Sequence, residues 1–394
     1  MSSMNELRIG VIGAGGRGSL ARHAHKPEQG VRVVAGADID SKALDTCKEW
    51  YGPDFFGTKD YCEMLNKADI DAVFVTSPDF LHEEHAIAAL EAGKHVYLEK
   101  PMTITIQGCD RVLRTAYERK VKLYCGHNMR HMAFSRKIRE LVLKGAIGQP
   151  KAGWCRHFVC YGGDAYFKDW HAERRYSTGL LLQKGAHDID LLHWFCGGYS
   201  QRVTAMGNLT VYNQITDRRK PDEEPQTGWR PENWPPLAQK GMNPIIDVED
   251  LSMMLMALDN GVLASYQQCH YTPDGWRNYT IIGTEGRLEN FCDYHGHTVV
   301  RLWNRRTHYN PYGDEQYYVG STSGGNHGGA DENIVAEFIR YVREGGKIAT
   351  SPIAARYSVA AGYQATMSLR SGATPLDVPA VDPKIREYFD RDLE

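Results

Sequence analysis

The run Leu7-Arg8-Ile9-Gly10-Val11-Ile12 passes without a break into Gly13-Ala14-Gly15-Gly16-Arg17-Gly18 and then into a helix-like stretch from Ser19. An apolar segment of strand length, a glycine-rich turn and a helix in that order predict the first unit of a doubly wound parallel sheet that binds a dinucleotide. Gly13 permits the tight turn, Gly15 and Gly16 let a pyrophosphate come close to the backbone, and Gly18 lets helix and strand pack. Arg17 falls inside the same turn. The diphosphate would be held by free N–H groups at the helix start. A second apolar strand, Val31 to Ala37, ends at Asp38, twenty residues beyond Gly18. A carboxylate there accepts hydrogen bonds from ribose hydroxyls and repels a 2′-phosphate, so the expected cofactor is NAD and not NADP.

A chain of 394 residues can hold two domains with cores of their own. Its formal net charge of -3 offers no global basic field for nucleic acid or an anionic membrane. The nine cysteines are scattered without a CxxC pair, and there is no signal-like apolar stretch after Met1. Reduced thiols and a cytoplasmic location are expected. No metal site is expected: His297, His308 and His327 are isolated, and His82 and His85 lack the HExxH spacing.

Strand-like and helix-like segments alternate to about residue 130. Asp71 to Thr76, His95 to Leu98 and Lys122 to Gly126 read as further parallel strands, and His82 to Ala92 as a helix stopped by Gly93. Thr76-Ser77-Pro78-Asp79 and Glu99-Lys100-Pro101 lie at the carboxyl ends of strands, where such sheets bind ligands. Beyond Gly148 strand-like segments recur without regular helices between them: 152–160, 203–212, 251–258, 262–269, 279–283 and 297–303. Asp259-Asn260-Gly261 signals a hairpin. The expected architecture is an α/β Rossmann domain over residues 1–130. An α+β domain with a large, mainly antiparallel sheet should follow over 131–394, interrupted by a polar insertion at about 213–243. Residues 331–344 and 354–371 have helical periodicity. Gly324 to Gly329 is either a connector or a loop passing close to substrate.

The layout resembles the Gfo/Idh/MocA family of oxidoreductases. The resemblance rests on the glycine turn, Asp38, Glu99-Lys100-Pro101, Gly126-His127-Asn128-Met129-Arg130, Gly185-Ala186-His187-Asp188-Ile189-Asp190 and the turn Gly283-Thr284-Glu285-Gly286. It implies that Ser77, His82, Glu99, Lys100 and Asn128 join the glycines and Asp38 around NAD. It also implies that Lys100 lies near the nicotinamide and the reacting hydroxyl, with His187 facing it. Homo-oligomers that pair through the second sheet are expected.

Removing a hydride from a secondary alcohol also requires its O–H proton to leave, which calls for a base tuned toward neutrality. Histidine suits this directly, and a partly desolvated lysine suits it too. Many relatives carry an aspartate four residues before the histidine, whereas this chain has Gln183 followed by Lys184. Around them fall Arg130, Arg156 and Arg174, with the aromatic residues Tyr161 and Trp170. Guanidinium forks suit oxyanions and aromatic faces suit sugar rings, so these residues, with Gln183 and Lys184, are candidates for binding a sugar that carries an anion. The expected activity is oxidation of a secondary hydroxyl, at C3 of a pyranose or glycoside. The alternatives are a redox-neutral NAD-dependent glycosidase, in which oxidation is followed by elimination, hydration and re-reduction, and a non-catalytic NAD sensor.

Overall fold

The five strand-like segments of the first third become, in the computed structural model, β1 (Leu7–Ile12), β2 (Val31–Ala37), β4 (Ala72–Val75), β5 (His95–Leu98) and β6 (Leu123–Cys125), and a short strand that the sequence did not signal, β3 (Phe56–Thr58), joins them. All pair in parallel, in the order β3-β2-β1-β4-β5-β6. The connection reverses direction between β1 and β4, and a ligand crevice opens at that switch point. The structure describes residues 6–293, 296–320 and 328–393. His327 and most of the Gly324–Gly329 loop lie outside them.

The segment after the glycine turn is a 3-10 helix, Gly16–Ala24, and not the α-helix that Ser19 onward suggested. Gly18 N already donates to Gly15 O at 2.7 Å, which closes a three-residue turn and sets the tighter winding.

Two compact units make up the chain: residues 1–131 with 329–356 and 381–394, and residues 132–328 with 357–380. The sequence reading divides the chain once, at 130/131, whereas here two C-terminal segments group with the first unit. The reason is hydrophobic. The helix Ala330–Glu344 buries Ile334, Val335 and Phe338 in one core with Phe74, Tyr97 and Tyr124 of the parallel sheet. Phe338 meets Phe74 and Tyr97 edge-on at centroid distances of 5.3 and 5.6 Å. Burying each such side chain contributes roughly 1.5–3 kcal/mol.

The second unit carries β7 (Pro150–Phe158), β8 (Ser200–Asn208), β9 (Leu251–Leu258), β10 (Leu263–Cys269), β11 (Trp276–Gly283), β12 (Arg287–Phe291), β13 (Val299–Trp303), β14 (Glu315–Tyr318) and β15 (Leu376–Asp377). Their order is β14-β13-β12-β11-β7-β10-β9-β8-β15, and every pairing is antiparallel except β7 with β10. Asp259-Asn260-Gly261 makes the β9–β10 hairpin. Along β7 the pleat sends Gly153, Cys155 and His157 to the buried face. The helix Gly185–Cys196 lies against it, and a Cβ on Gly153 would come within 2.9 Å of Cys196 Sγ. The insertion at 213–243 is largely exposed but anchored: Arg219 donates to Lys168 O at 3.1 Å and Asn243 Oδ1 at 2.7 Å, and Asn233 to Asp164. Among the described residues no helix is long and apolar enough to cross a membrane.

Candidate active site

The glycine turn in the first unit has the form a dinucleotide needs. Gly13 has φ +81°, and a Cβ there would meet Ser77 N at 2.5 Å. A Cβ on Gly18 would meet Gly13 O at 2.4 Å, whereas nothing lies within 4 Å of one on Gly16, which borders open space. Asp38 sits just past β2, with one oxygen accepting from Gly15 N at 2.8 Å and the other from Asp40 N at 2.9 Å. The carboxylate is thus tied to the turn. These residues fit NAD: a backbone cradle for the pyrophosphate and a carboxylate for the ribose.

Around the carboxyl ends of β5 and β6 the charges hold one another. Arg17 Nε donates to Glu99 Oε1 at 2.5 Å, and its two terminal nitrogens reach Asp331 at 2.7 and 2.9 Å. Asn128 Nδ2 also donates to Asp331, at 2.8 Å, while Asn128 Oδ1 is buried with no protein donor. Burial works against the Arg17 charge, but Glu99 and Asp331 hold it firmly protonated. Glu99 accepts from the backbone N–H of Lys100 at 2.6 Å and so fixes the chain where that side chain departs. His82 is a clasp: Nδ1 lies 2.7 Å from Pro101 O and Nε2 2.8 Å from Ser77 O. Ser77 Oγ is 2.8 Å from His85 Nδ1. His82 therefore joins two strand-end loops, and its ring nitrogens are engaged by the chain itself. Asp331 had no local signal in the sequence, because it meets Arg17 across more than three hundred residues.

A separate network is buried in the second unit. Asp188, on the helix Gly185–Cys196, accepts from the Tyr279 hydroxyl and lies 2.9 Å from Arg277 Nε and 3.1 Å from His157 Nδ1. Arg277 also reaches Asp293, at 3.1 Å. Burial opposes the Asp188 charge, but Arg277 and His157 outweigh it and hold the carboxyl well below its ordinary range. Burial and Arg277 push His157 down to about 3, so its imidazole is neutral.

Gln183 and Lys184 end the short turn Leu180–Gln183 just before the helix that carries the buried His187. Lys184 is only 8% exposed and lies 5.4 Å from the ring centres of both Tyr161 and Tyr166. Gln183 Oε1 is buried with no donor, and both ring nitrogens of His270 are buried without a partner. Tyr166 joins these groups: its ring meets His270 edge-on at 5.5 Å and His171 at 5.3 Å. His171 stacks on Trp170 at 3.6 Å. Tyr161, Trp170, Lys184 and His270 thus belong to one aromatic and polar cluster, and Gln183 precedes Lys184 in the chain. His270 was missed because a lone histidine after a strand carries no pattern.

The arginines of the sequence reading lie elsewhere in the structure. Arg130 belongs to the first unit and donates to Ala349 O at 2.5 Å. Arg156 holds Asn278 Oδ1, with Glu289 at 3.8 Å. Arg174 holds Asp247 O at 2.5 Å and Glu249 at 3.1 Å. Each guanidinium is occupied by acceptors of its own chain. A groove of about 1120 Å³ between the insertion and Lys168 is lined in part by internally bonded groups, with Arg219 holding five acceptors and Lys168 paired with Asp164 at 3.6 Å.

A cradle for NAD on a 3-2-1-4-5-6 sheet, joined in one chain to a large mixed sheet, defines a nicotinamide-dependent oxidoreductase of two-unit construction. Two family models match: an oxidoreductase family with an NAD-binding Rossmann fold over residues 7–127, and the GFO/IDH/MocA C-terminal domain over residues 135–289. The chain belongs to the GFO/IDH/MocA oxidoreductase family. It is 26% identical over 383 residues to a putative oxidoreductase, YteT, of Bacillus subtilis, covering 83% of this chain and 84% of that one. It is 30% identical over 209 residues to myo-inositol 2-dehydrogenase of Thermotoga maritima, covering 53% of this chain and 60% of that one. Levoglucosan dehydrogenase, solved with NADH and levoglucosan, superposes with a TM-score of 0.77 at 19% identity, over 95% of this chain and all of that one. That likeness establishes the shared fold.

Proposed function

We propose that this protein oxidises a secondary hydroxyl, at C3 of a pyranose or glycoside, with NAD. One observation carries the sugar assignment: the His270 ring nitrogens are buried without partners, with the ring edge-on to Tyr166, over which Lys184 also lies. Unpaired buried polar atoms are costly, and a polyhydroxylated ring would supply the missing donors and acceptors while its C–H face packs on the aromatic wall. Bound NAD supplies the two-electron acceptor. Lys100 is proposed to hold the reacting hydroxyl through a hydrogen bond that strengthens as negative charge builds on its oxygen, and His187 is proposed as an acid–base group of the second unit. Glu99 and Arg17 fix the backbone from which Lys100 projects. Relatives named for myo-inositol, 1,5-anhydro-D-fructose and levoglucosan support a cyclic, hydroxyl-rich substrate. Arg130, Arg156 and Arg174 are engaged internally, which favours a neutral substrate over an anionic one.

The test is a panel of free sugars, cyclitols and 4-nitrophenyl glycosides, neutral and anionic, followed by NADH absorbance and by released nitrophenol. NADH in step with ketone formation is expected, and no turnover across the panel would overturn the proposal. A redox-neutral glycosidase is the second reading, favoured by the amide at Gln183 where many relatives have a carboxylate. It would release nitrophenol with catalytic NAD and exchange C2–H in heavy water.

For the assembly we propose a homo-oligomer paired through the open face of the second sheet. Met206, Met253, Leu255 and Leu263 are 71%, 48%, 61% and 64% exposed on β8, β9 and β10, a larger apolar patch than solvent favours. Light scattering at several concentrations checks it.

A further inference from the structure

Lys184 is a buried amine in the aromatic cluster. Its ammonium group has two tyrosine rings within about 5.4 Å and, among the described residues, no carboxylate within ion-pair distance. The charged and titratable groups around it come from several elements. Arg277 of β11 opposes its charge, and Asp188 on its own helical segment and Asp293 beyond β12 favour it. His157 of β7 and His270 beyond β10 are neutral, and Tyr161 and Tyr166 form the walls. The two carboxylates that would support an ammonium are already shared with Arg277. Burial, and then the Arg277 charge, bring Lys184 down to about 7. A lysine so placed exchanges protons near neutrality.

Resting on the function proposed above, we propose that Lys184 is the proton acceptor of the oxidation, a role that the amide at Gln183 cannot fill. The substrate O–H bond breaks and its proton goes to the lone pair of Lys184 Nζ, giving the ammonium. The C–H bond breaks with its electron pair transferred to NAD, and the carbonyl double bond forms. One proton and one hydride leave the alcohol, and the charges balance. His270, which meets the same Tyr166 ring as Lys184 and has no protein partner, would hydrogen-bond the sugar ring.

The first arm of the test needs no substrate. A lysine at about 7 in the folded chain and at its ordinary 10.5 when unfolded binds fewer protons folded than unfolded between those values. Its burial therefore costs most at low pH, and the cost is relieved as pH rises from about 7 to 10.5. Lys184→Met should raise the melting temperature more at pH 6 than at pH 10. A difference that does not vary with pH would overturn the proposal.

The second arm uses the full-length enzyme with NAD and the best substrate of the panel. Lys184→Ala should lose roughly a hundredfold or more in kcat and lose the fall of kcat/KM below about pH 7, with NADH binding unchanged by fluorescence titration. Added ethylamine should restore at least about tenfold, because a small amine can occupy the vacated space and take the proton. Retention of turnover within about threefold, or a loss that amines do not rescue with the acid limb intact, overturns the role of Lys184 and leaves the sugar oxidation standing. A wild-type enzyme that oxidises nothing on the panel removes the functional proposal, and the inference falls with it.

Discussion

The polar groups around the glycine turn and those around Lys184 meet burial in opposite ways. In the first unit Arg17, Glu99, Asp331 and Asn128 hold one another by hydrogen bonds of 2.5–2.9 Å, and Asp38 is tied to the turn it serves. The geometry there is prepared before any ligand arrives. In the second unit Gln183 Oε1 and the His270 ring nitrogens have no protein partner, and Lys184 lies 5.4 Å from two tyrosine rings. A cofactor can be met by a prebuilt frame, whereas unsatisfied groups carry a desolvation cost that a fitting ligand would repay, as proposed for the second unit.

The largest expected effect would break that contrast if it failed. Lys100→Ala and His187→Ala, one in each unit, should each lower turnover by roughly two to four orders of magnitude with NAD binding largely intact by fluorescence titration. Near-normal turnover in both would remove them from the chemistry. Next is the buried ion network. Arg277→Met leaves Asp188 and Asp293 without their shared cation and should cost about 3–5 kcal/mol in denaturant unfolding, because Arg277 is only 11% exposed. Asp188→Asn in the same chain should recover part of that loss. The Asp188 contribution is present in full above its ordinary value of 3.8 and is lost only as stronger acid approaches its depressed folded value. A smaller effect tests the prebuilt frame: Asp38→Ser should cut the preference for NAD over NADP by about tenfold, close to 1.4 kcal/mol, read from the two Kd values. Smallest of all in folding stability, Leu255→Lys should dissociate the oligomer in light scattering while changing monomer stability by less than about 0.5 kcal/mol.

What the sequence made legible was local. The glycine turn, Asp38 and Lys100 announce themselves within a few residues of a strand end, and the hairpin at Asp259-Asn260-Gly261 is a two-residue signal; all lie where the structure has them. The parallel pairing of β7 with β10 joins segments a hundred residues apart and leaves no such mark. The same holds for the partners of Arg17 and of Asp188. Asp331, Arg277 and Asp293 are ordinary charged residues until the fold carries them to a counter-ion. The arginine cluster near Arg156 and Arg174 shows the converse error. Closeness in sequence suggested a common ligand, but each guanidinium found its acceptor on a neighbouring strand or loop. Lys184 was visible only as a donor near His187; its burial between two tyrosines depends on packing that no spacing encodes.

The helix Ala330–Glu344 has a consequence for how the chain is made. All six strands of the parallel sheet leave the ribosome by residue 125, yet Phe338, which closes over Phe74 and Tyr97, is synthesised some two hundred residues later. Through that interval, and through the synthesis of the second sheet from β7 to β14, the nascent cofactor unit must carry an uncovered aromatic face. Chaperone demand should therefore peak in mid-synthesis, and a chain released at residue 131 should aggregate where the full one folds.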